Sequence, residues 1–208
     1  MTGTRDKNLR SGDIHEDLGL LLLRGIALAT AIPRTEDVGA DAFATLLREA
    51  SVRSLVAEES FLVQFKASSV RTIQYETPTA IDWLTQLEMP FFVGSVDLAS
   101  AAIKLYATHC LSQIFLESRH SRIHLHLDPV DRSQSRADVR HTNLGKPVLT
   151  WSVPDITQKG FLSKAYAVLK GHISVLRRNL LLRPLGSADM VRWEPGQPPK
   201  ACARMMFV

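Results

Sequence analysis

The sequence predicts an α/β layer fold. Apolar residues recur at helical spacing between Ile14 and Gly25. Short strand-like runs occupy 42–47, 61–66, 91–96 and 102–107. A second helical signal lies between Pro78 and Pro90 and divides those strands into two sets. The order helix, two or three strands, helix, two strands is that of a layered α/β core.

Each element has a local cause. Ser11 or Asp13 caps the first helix, which leaves residues 1–12 as a tail. Ile14, Leu18, Leu21, Leu22 and Gly25 share one face of it. Ile14, Leu18 and Leu21 are therefore expected to point inward, with Glu16 off that stripe. The helix should fade before Pro33. A polar stretch from Arg34 to Asp41 leads into the strand Ala42–Leu47, and residues 49–58 connect it to Phe61–Lys66. Phe61–Lys66 alternates around two polar residues and reads as a central strand. Ile81, Trp83, Leu84 and Leu87 mark the second helix, which Pro90 closes. Phe91–Val96 is a buried strand. A turn at 97–100 brings Ala102–Ala107 back beside it as a hairpin.

Beyond residue 107 the pattern is looser. Cys110–Leu116 reads as helix and Arg122–Leu127 as a strand of period two. Residues 131–143 are polar and read as a loop. Ile156–Leu182 reads as one long helix carrying Lys159, Lys164, Lys170, Arg177 and Arg178, ended by Pro184 and Gly186. The proline-rich tail from Trp193 is expected to be extended or loosely packed. The domain reading is a tail at 1–12, a core at 13–107 and a basic, partly helical C-terminal extension at 108–208.

Composition narrows the function classes. In 208 residues, 45% are hydrophobic and 22% charged, which excludes a disordered or collagen-like chain. The apolar run Leu18–Leu23 is too short to cross a bilayer, and Arg24 interrupts it. No membrane partner is therefore expected. Met1–Arg10 lacks the apolar core of a signal peptide, and two cysteines, Cys110 and Cys202, make neither a disulfide framework nor a zinc site. A reducing cytoplasm is the expected setting. The net charge of +4 is uneven: residues 1–104 carry −4 and residues 105–208 carry +8. Basic residues of the long helix, and Arg132, Arg136 and Arg140, suit a phosphate backbone; the plainer reading is a solvated surface.

The chemistry-bearing pattern is Glu16 in the first helix, Asp41 at a strand start, and Gln64-Phe65-Lys66 in the next strand. Residues i and i+2 of a strand share a face, so Gln64 and Lys66 project together while Phe65 turns into the core. A carboxylate, an amide oxygen and a lysine at one sheet edge suit a hard divalent ion and a positioned water. The plainer alternative makes Asp41 a turn residue and Lys66 an edge-strand charge. A buried lysine in that strand is costly without a partner, which favours pairing with Asp41 or Glu16.

With these residues the chain resembles the PD-(D/E)XK nuclease superfamily, and more narrowly an uncharacterised bacterial branch of it. The resemblance rests on Gly12-Asp13-Ile14-His15-Glu16-Asp17-Leu18-Gly19, Glu36-Asp37-Val38-Gly39-Ala40-Asp41 and Val63-Gln64-Phe65-Lys66-Ala67-Ser68-Ser69. Trp83, the run Met89–Asp97 and Leu105-Tyr106 continue it, so that it covers residues 11–107. It implies a restriction-endonuclease-like core of helix, mixed central sheet and helix, followed by the helical C-terminal extension. It implies Asp41 as principal ligand of Mg²⁺, with Mn²⁺ able to substitute. Gln64 takes the acidic position, Lys66 is the catalytic lysine, Glu16 is an auxiliary ligand, and the backbone carbonyl of Phe65 completes the metal shell. The implied activity is hydrolysis of nucleic-acid phosphodiesters, DNA ahead of RNA, in defence against foreign DNA or in DNA processing. A homodimer or a partner protein of a multi-component system belongs to the same expectation. Two departures stand out: Gln64 is neutral where many members have Glu or Asp, and Ala40 replaces the conventional proline before the aspartate. Asp37 is a second candidate aspartate, although the Gly-x-Asp spacing favours Asp41. The alternative is a catalytically inactive nuclease-fold module that binds nucleic acid or a partner protein.

Several residues have plainer readings. His15 beside Glu16 reads as an exposed helix histidine. His124 and His126 share a strand face, but no third ligand of recognisable spacing accompanies them. Ser68 and Ser69 read equally as a phosphate contact or a strand-end turn, and Trp83 as a core residue.

Overall fold

The computed structural model describes residues 7–33, 39–51, 53–117, 120–129 and 138–206, with side chains from Gly12 onward. Helix α1 (Lys7–Arg24) begins ahead of the expected cap, so Ser11 and Asp13 lie inside it. Its inward face also differs from the expected one. Ile14 and Leu21 are 45% and 55% exposed, whereas Gly19, Leu22 and Leu23 are buried. The cause is a close approach: a Cβ at Gly19 would stand 2.6 Å from the Phe65 ring. The helix meets the sheet through its glycine, and residues three or four positions away share that face. Glu16 is one of them, so it lies on the sheet-facing side rather than off it.

Strands β1 (Ala27–Ala31), β2 (Ala42–Ser51) and β3 (Ser54–Ala67) form an antiparallel meander. Of the segment 49–58, expected as a connector, residues 49–51 and 54–58 are strand, with Ser51 opposite Ser54. Short β4 (Thr72–Tyr75) and helix α2 (Pro78–Thr85) follow. The Thr77 side chain caps α2 by accepting from the Ala80 amide. Strand β5 (Phe91–Asp97) then runs parallel to β3, and β6 (Ala102–Ala107) pairs back antiparallel.

Helix α3 (His109–Glu117), β7 (Arg122–His126), β8 (Val139–Asn143) and β9 (Leu149–Ser152) come next. Part of the expected loop at 131–143 is thus strand β8, while Arg132 and Arg136 lie outside the described residues, as does Asp37. The expected long helix is two: α4 (Val153–Ile156) and α5 (Phe161–Leu182), separated at Gly160, whose φ of 81° suits glycine. The expected loose tail contains β11 (Lys200–Met206), which pairs with β10 (Ser187–Arg192).

The main sheet is mixed, in the order β1-β2-β3-β5-β6-β9. On one face Phe61, Val63 and Phe65 alternate into a core shared with α1 and α5. The other face is covered by α2, α3 and the sheet β4-β7-β8, around Tyr75, Leu84, Phe91, Val93 and Ile123. The boundary expected at 107/108 crosses this architecture. Strand β9 completes the sheet, and Trp151, Leu169 and Ile173 lie in the same core as Phe65. Among the described residues no helix is long and apolar enough to cross a membrane.

The uneven charge is partly internal pairing. Glu58 accepts from Arg48 Nε at 2.5 Å and from Lys170 Nζ at 2.8 Å, and Arg177 pairs with Glu59. The hydrogen bond from Lys170, with those from Tyr166 and Arg48, holds the Glu58 carboxyl down at about 2. Arg178 meets Asp189 at 3.3 Å. Three of the five basic residues expected to track phosphate are therefore engaged by carboxylates.

His109 and His172 join α3 to α5. His172 Nε2 donates to the Gln197 carbonyl at 3.3 Å, because a carbonyl only accepts. The bare Nδ1 of neutral His172 then accepts from His109 Nε2 at 2.9 Å. His109 Nδ1 is a buried acceptor without a partner among the described residues. Burial, then the neighbouring His172, lowers His109 to about 3, and burial lowers His172 to about 4. Both folded values lie below the ordinary 6.5, so the unfolded chain binds more protons below that pH. Stability is expected to be flat above pH 6.5 and to fall as pH drops towards 4, by on the order of 2 kcal/mol per imidazole at pH 5. Urea unfolding midpoints from pH 8 to 5 check this, with His109→Gln expected to flatten the profile.

Candidate active site

The Gly-x-Asp turn places Asp41. Gly39 has a φ of 90°, in the region that favours glycine, and packs against Trp83. Trp83 stacks on Tyr75 at 6.4 Å and meets Phe91 edge-on at 5.3 Å, so it packs, partly buried, against the core. Asp41 immediately precedes β2 and stands beside the C-terminal part of β3. Its amide donates to the Val63 carbonyl at 2.9 Å, and its Oδ2 accepts from the Phe65 amide at 2.5 Å. The N–H and C=O of one strand residue point to the same side. The Phe65 carbonyl is therefore directed to the side where Asp41 stands.

Gln64 is 8% exposed, and its Oε1 accepts from the Tyr75 hydroxyl at 2.9 Å. Burial, followed by the charge of Asp41 and then Cys110, pushes the Tyr75 phenol up, so it stays protonated and donating. The field of Asp41 at this phenol ties the carboxylate to the Gln64–Tyr75 pair. Lys66 projects on the Gln64 face and is partly exposed, so its charge keeps contact with water. Glu16 stands on the face of α1 that packs on Phe65, one turn from Gly19.

The structure thus brings Asp41, Phe65 and Gln64 together and sets Lys66 on the same strand. Tyr75 was missed because a four-residue strand leaves almost no periodic signal. The Asp41 carboxylate, Gln64 Oε1 and the Phe65 carbonyl are all hard oxygen donors. Such a sparse set fits Mg²⁺, which retains waters and takes few protein carboxylates. Among the described residues no group of three or more His, Cys, Asp or Glu can hold a metal by itself. His124 and His126 do gain a third histidine: His126 Nε2 lies 2.9 Å from His141 Nδ1, and the His124 ring is 4.9 Å from that of His141. Their nitrogens bond to one another, to Thr72 and to Glu76 rather than converging on one point.

No protein-family model, no curated protein and no solved structure matches the chain.

Proposed function

We propose that this protein is a metal-dependent nuclease with a restriction-endonuclease-like core, hydrolysing phosphodiester bonds of nucleic acid, DNA above RNA. The observation that carries the reading is the Asp41–Phe65 contact, which seats the Asp41 carboxylate against the Gln-x-Lys strand. The antiparallel meander β1-β2-β3, with a helical crossover to the parallel β5, supports the fold assignment. Asp41 and Gln64 would hold the ion, helped by the Phe65 carbonyl and by Glu16. A bound divalent ion supplies Lewis-acid stabilisation of the charge that builds on the phosphate and the leaving oxygen. The Phe65 amide fixes the rotamer of Asp41, and Tyr75 fixes Gln64. Lys66 orients the attacking water, with its ammonium placed against the anionic phosphate.

The Tyr75–Gln64 bond also favours a second reading, an inactive module that binds nucleic acid. One lone pair of the neutral amide oxygen is already used, which weakens its hold on a cation. Incubation of the purified protein with plasmid, linear and single-stranded DNA and with RNA separates the two. Cleavage with Mg²⁺ or Mn²⁺, abolished by EDTA, is the expected result; intact substrates under all conditions favour the binding module.

A further inference from the structure

The strand registers build a polar row across the sheet. Lys66 pairs with Ser95, Ser95 with Lys104, and Lys104 with Thr150. Neighbouring strands lie about 4.8 Å apart, so the row spans about 14 Å. All four side chains leave the face opposite α1 and α5, because their neighbours Phe65, Val96, Leu105 and Trp151 point into that core. Beginning at Ser95, the row forms one wall of a cleft of about 280 Å³. Arg71 and Asp128 stand on the other side, paired at 3.0 Å, with Tyr106 and Leu127 between.

We propose that the sugar–phosphate backbone of one nucleic-acid strand lies along this row, from Lys66 towards Thr150. Lys104 is its principal phosphate contact and Arg71 closes over it. The inference rests on the nuclease reading for its starting point at Lys66. Lysine and arginine side chains and serine or threonine hydroxyls position phosphates; the row supplies two lysines and two hydroxyls, and Arg71 faces them. The cleft also holds two carboxylates, and both are answered. Asp97 accepts from Ser100 Oγ at 2.6 Å and from the Ala99 amide at 3.1 Å, and Lys104 adds its charge. Asp128 is met by Arg71, but the two side chains are 55% and 68% exposed. Such surface pairs contribute little, so Arg71 can turn from Asp128 to a phosphate at small cost. Lys104 is exposed and available.

The test is fluorescence anisotropy of labelled DNA and RNA oligonucleotides in EDTA over a range of salt, followed by cleavage in Mg²⁺. The proteins are the wild type, Lys104→Ala, Lys104→Glu and a control on β11, Lys200→Ala. Lys104→Ala is expected to weaken binding of both nucleic acids about five-fold and to lower the salt slope by about 0.7, the share of one phosphate contact on a single strand. Lys104→Glu should weaken it further, and Lys200→Ala should match the wild type. Unchanged affinity and slope in both Lys104 variants overturn the proposal, as does an equal loss in Lys200→Ala. A wild type that binds through Lys104 but cuts nothing leaves the row standing and overturns the nuclease reading. A wild type that cuts while Lys104→Ala binds normally overturns the row alone.

Discussion

Lys66→Ala is expected to lower Mg²⁺-dependent cleavage by about 100-fold or more, with the fold intact and with metal binding retained. Lys66 is partly exposed on β3, so truncation leaves no buried cavity. The side chains packed behind it, Phe65 and Val63, belong to the other face and are unaffected. Asp41→Asn is expected to lose activity by another route. The amide still offers an oxygen to the Phe65 N–H, which preserves the local structure, but it removes the negative charge proposed to hold the ion. The two variants therefore separate: one binds metal and does not cut, the other does neither. Equal cleavage by wild type and Lys66→Ala would end the assignment of the lysine.

Trp151→Ala is expected to destabilise the whole protein by about 4 kcal/mol, the usual cost of deleting a buried large aromatic. Trp151 is 1% exposed on β9, and its indole N–H donates to the Leu22 carbonyl of α1 at 3.0 Å. The contact joins residue 151 to the first helix across the sheet. For a chain of this length the melting temperature should fall by about 8–16 °C in a single transition. If the second half were a separate unit, the variant would instead split unfolding into two transitions and leave the part carrying Lys66 unchanged. Differential scanning calorimetry distinguishes these outcomes.

The sequence made some of this legible and hid the rest for identifiable reasons. Period-two alternation over Phe61–Lys66 revealed a strand with Gln64 and Lys66 on one side, because Phe61, Val63 and Phe65 make the other side of that segment apolar. The inward face of α1 was misread because hydrophobicity pointed to Ile14 and Leu21, whereas closeness of approach chose Gly19. That choice also moved Glu16 to the sheet side. Strands β4, β9 and β11 escaped notice because they are short or follow prolines. The Lys66–Ser95–Lys104–Thr150 row is invisible in sequence, since it exists only through three registers between distant segments. The opposite charges of the two halves were visible at once, but their pairing through Glu58, Glu59, Lys170 and Arg177 needed the fold.

Asp41 and Gln64 are proposed to form a divalent-cation site beside Lys66. Mn²⁺ binding followed by electron paramagnetic resonance, on wild type, Lys66→Ala and Asp41→Asn, tests it directly. The expected result is one bound Mn²⁺ in the wild type and in Lys66→Ala, competed by Mg²⁺ and lost in Asp41→Asn. Equal Mn²⁺ binding in Asp41→Asn and wild type would contradict it.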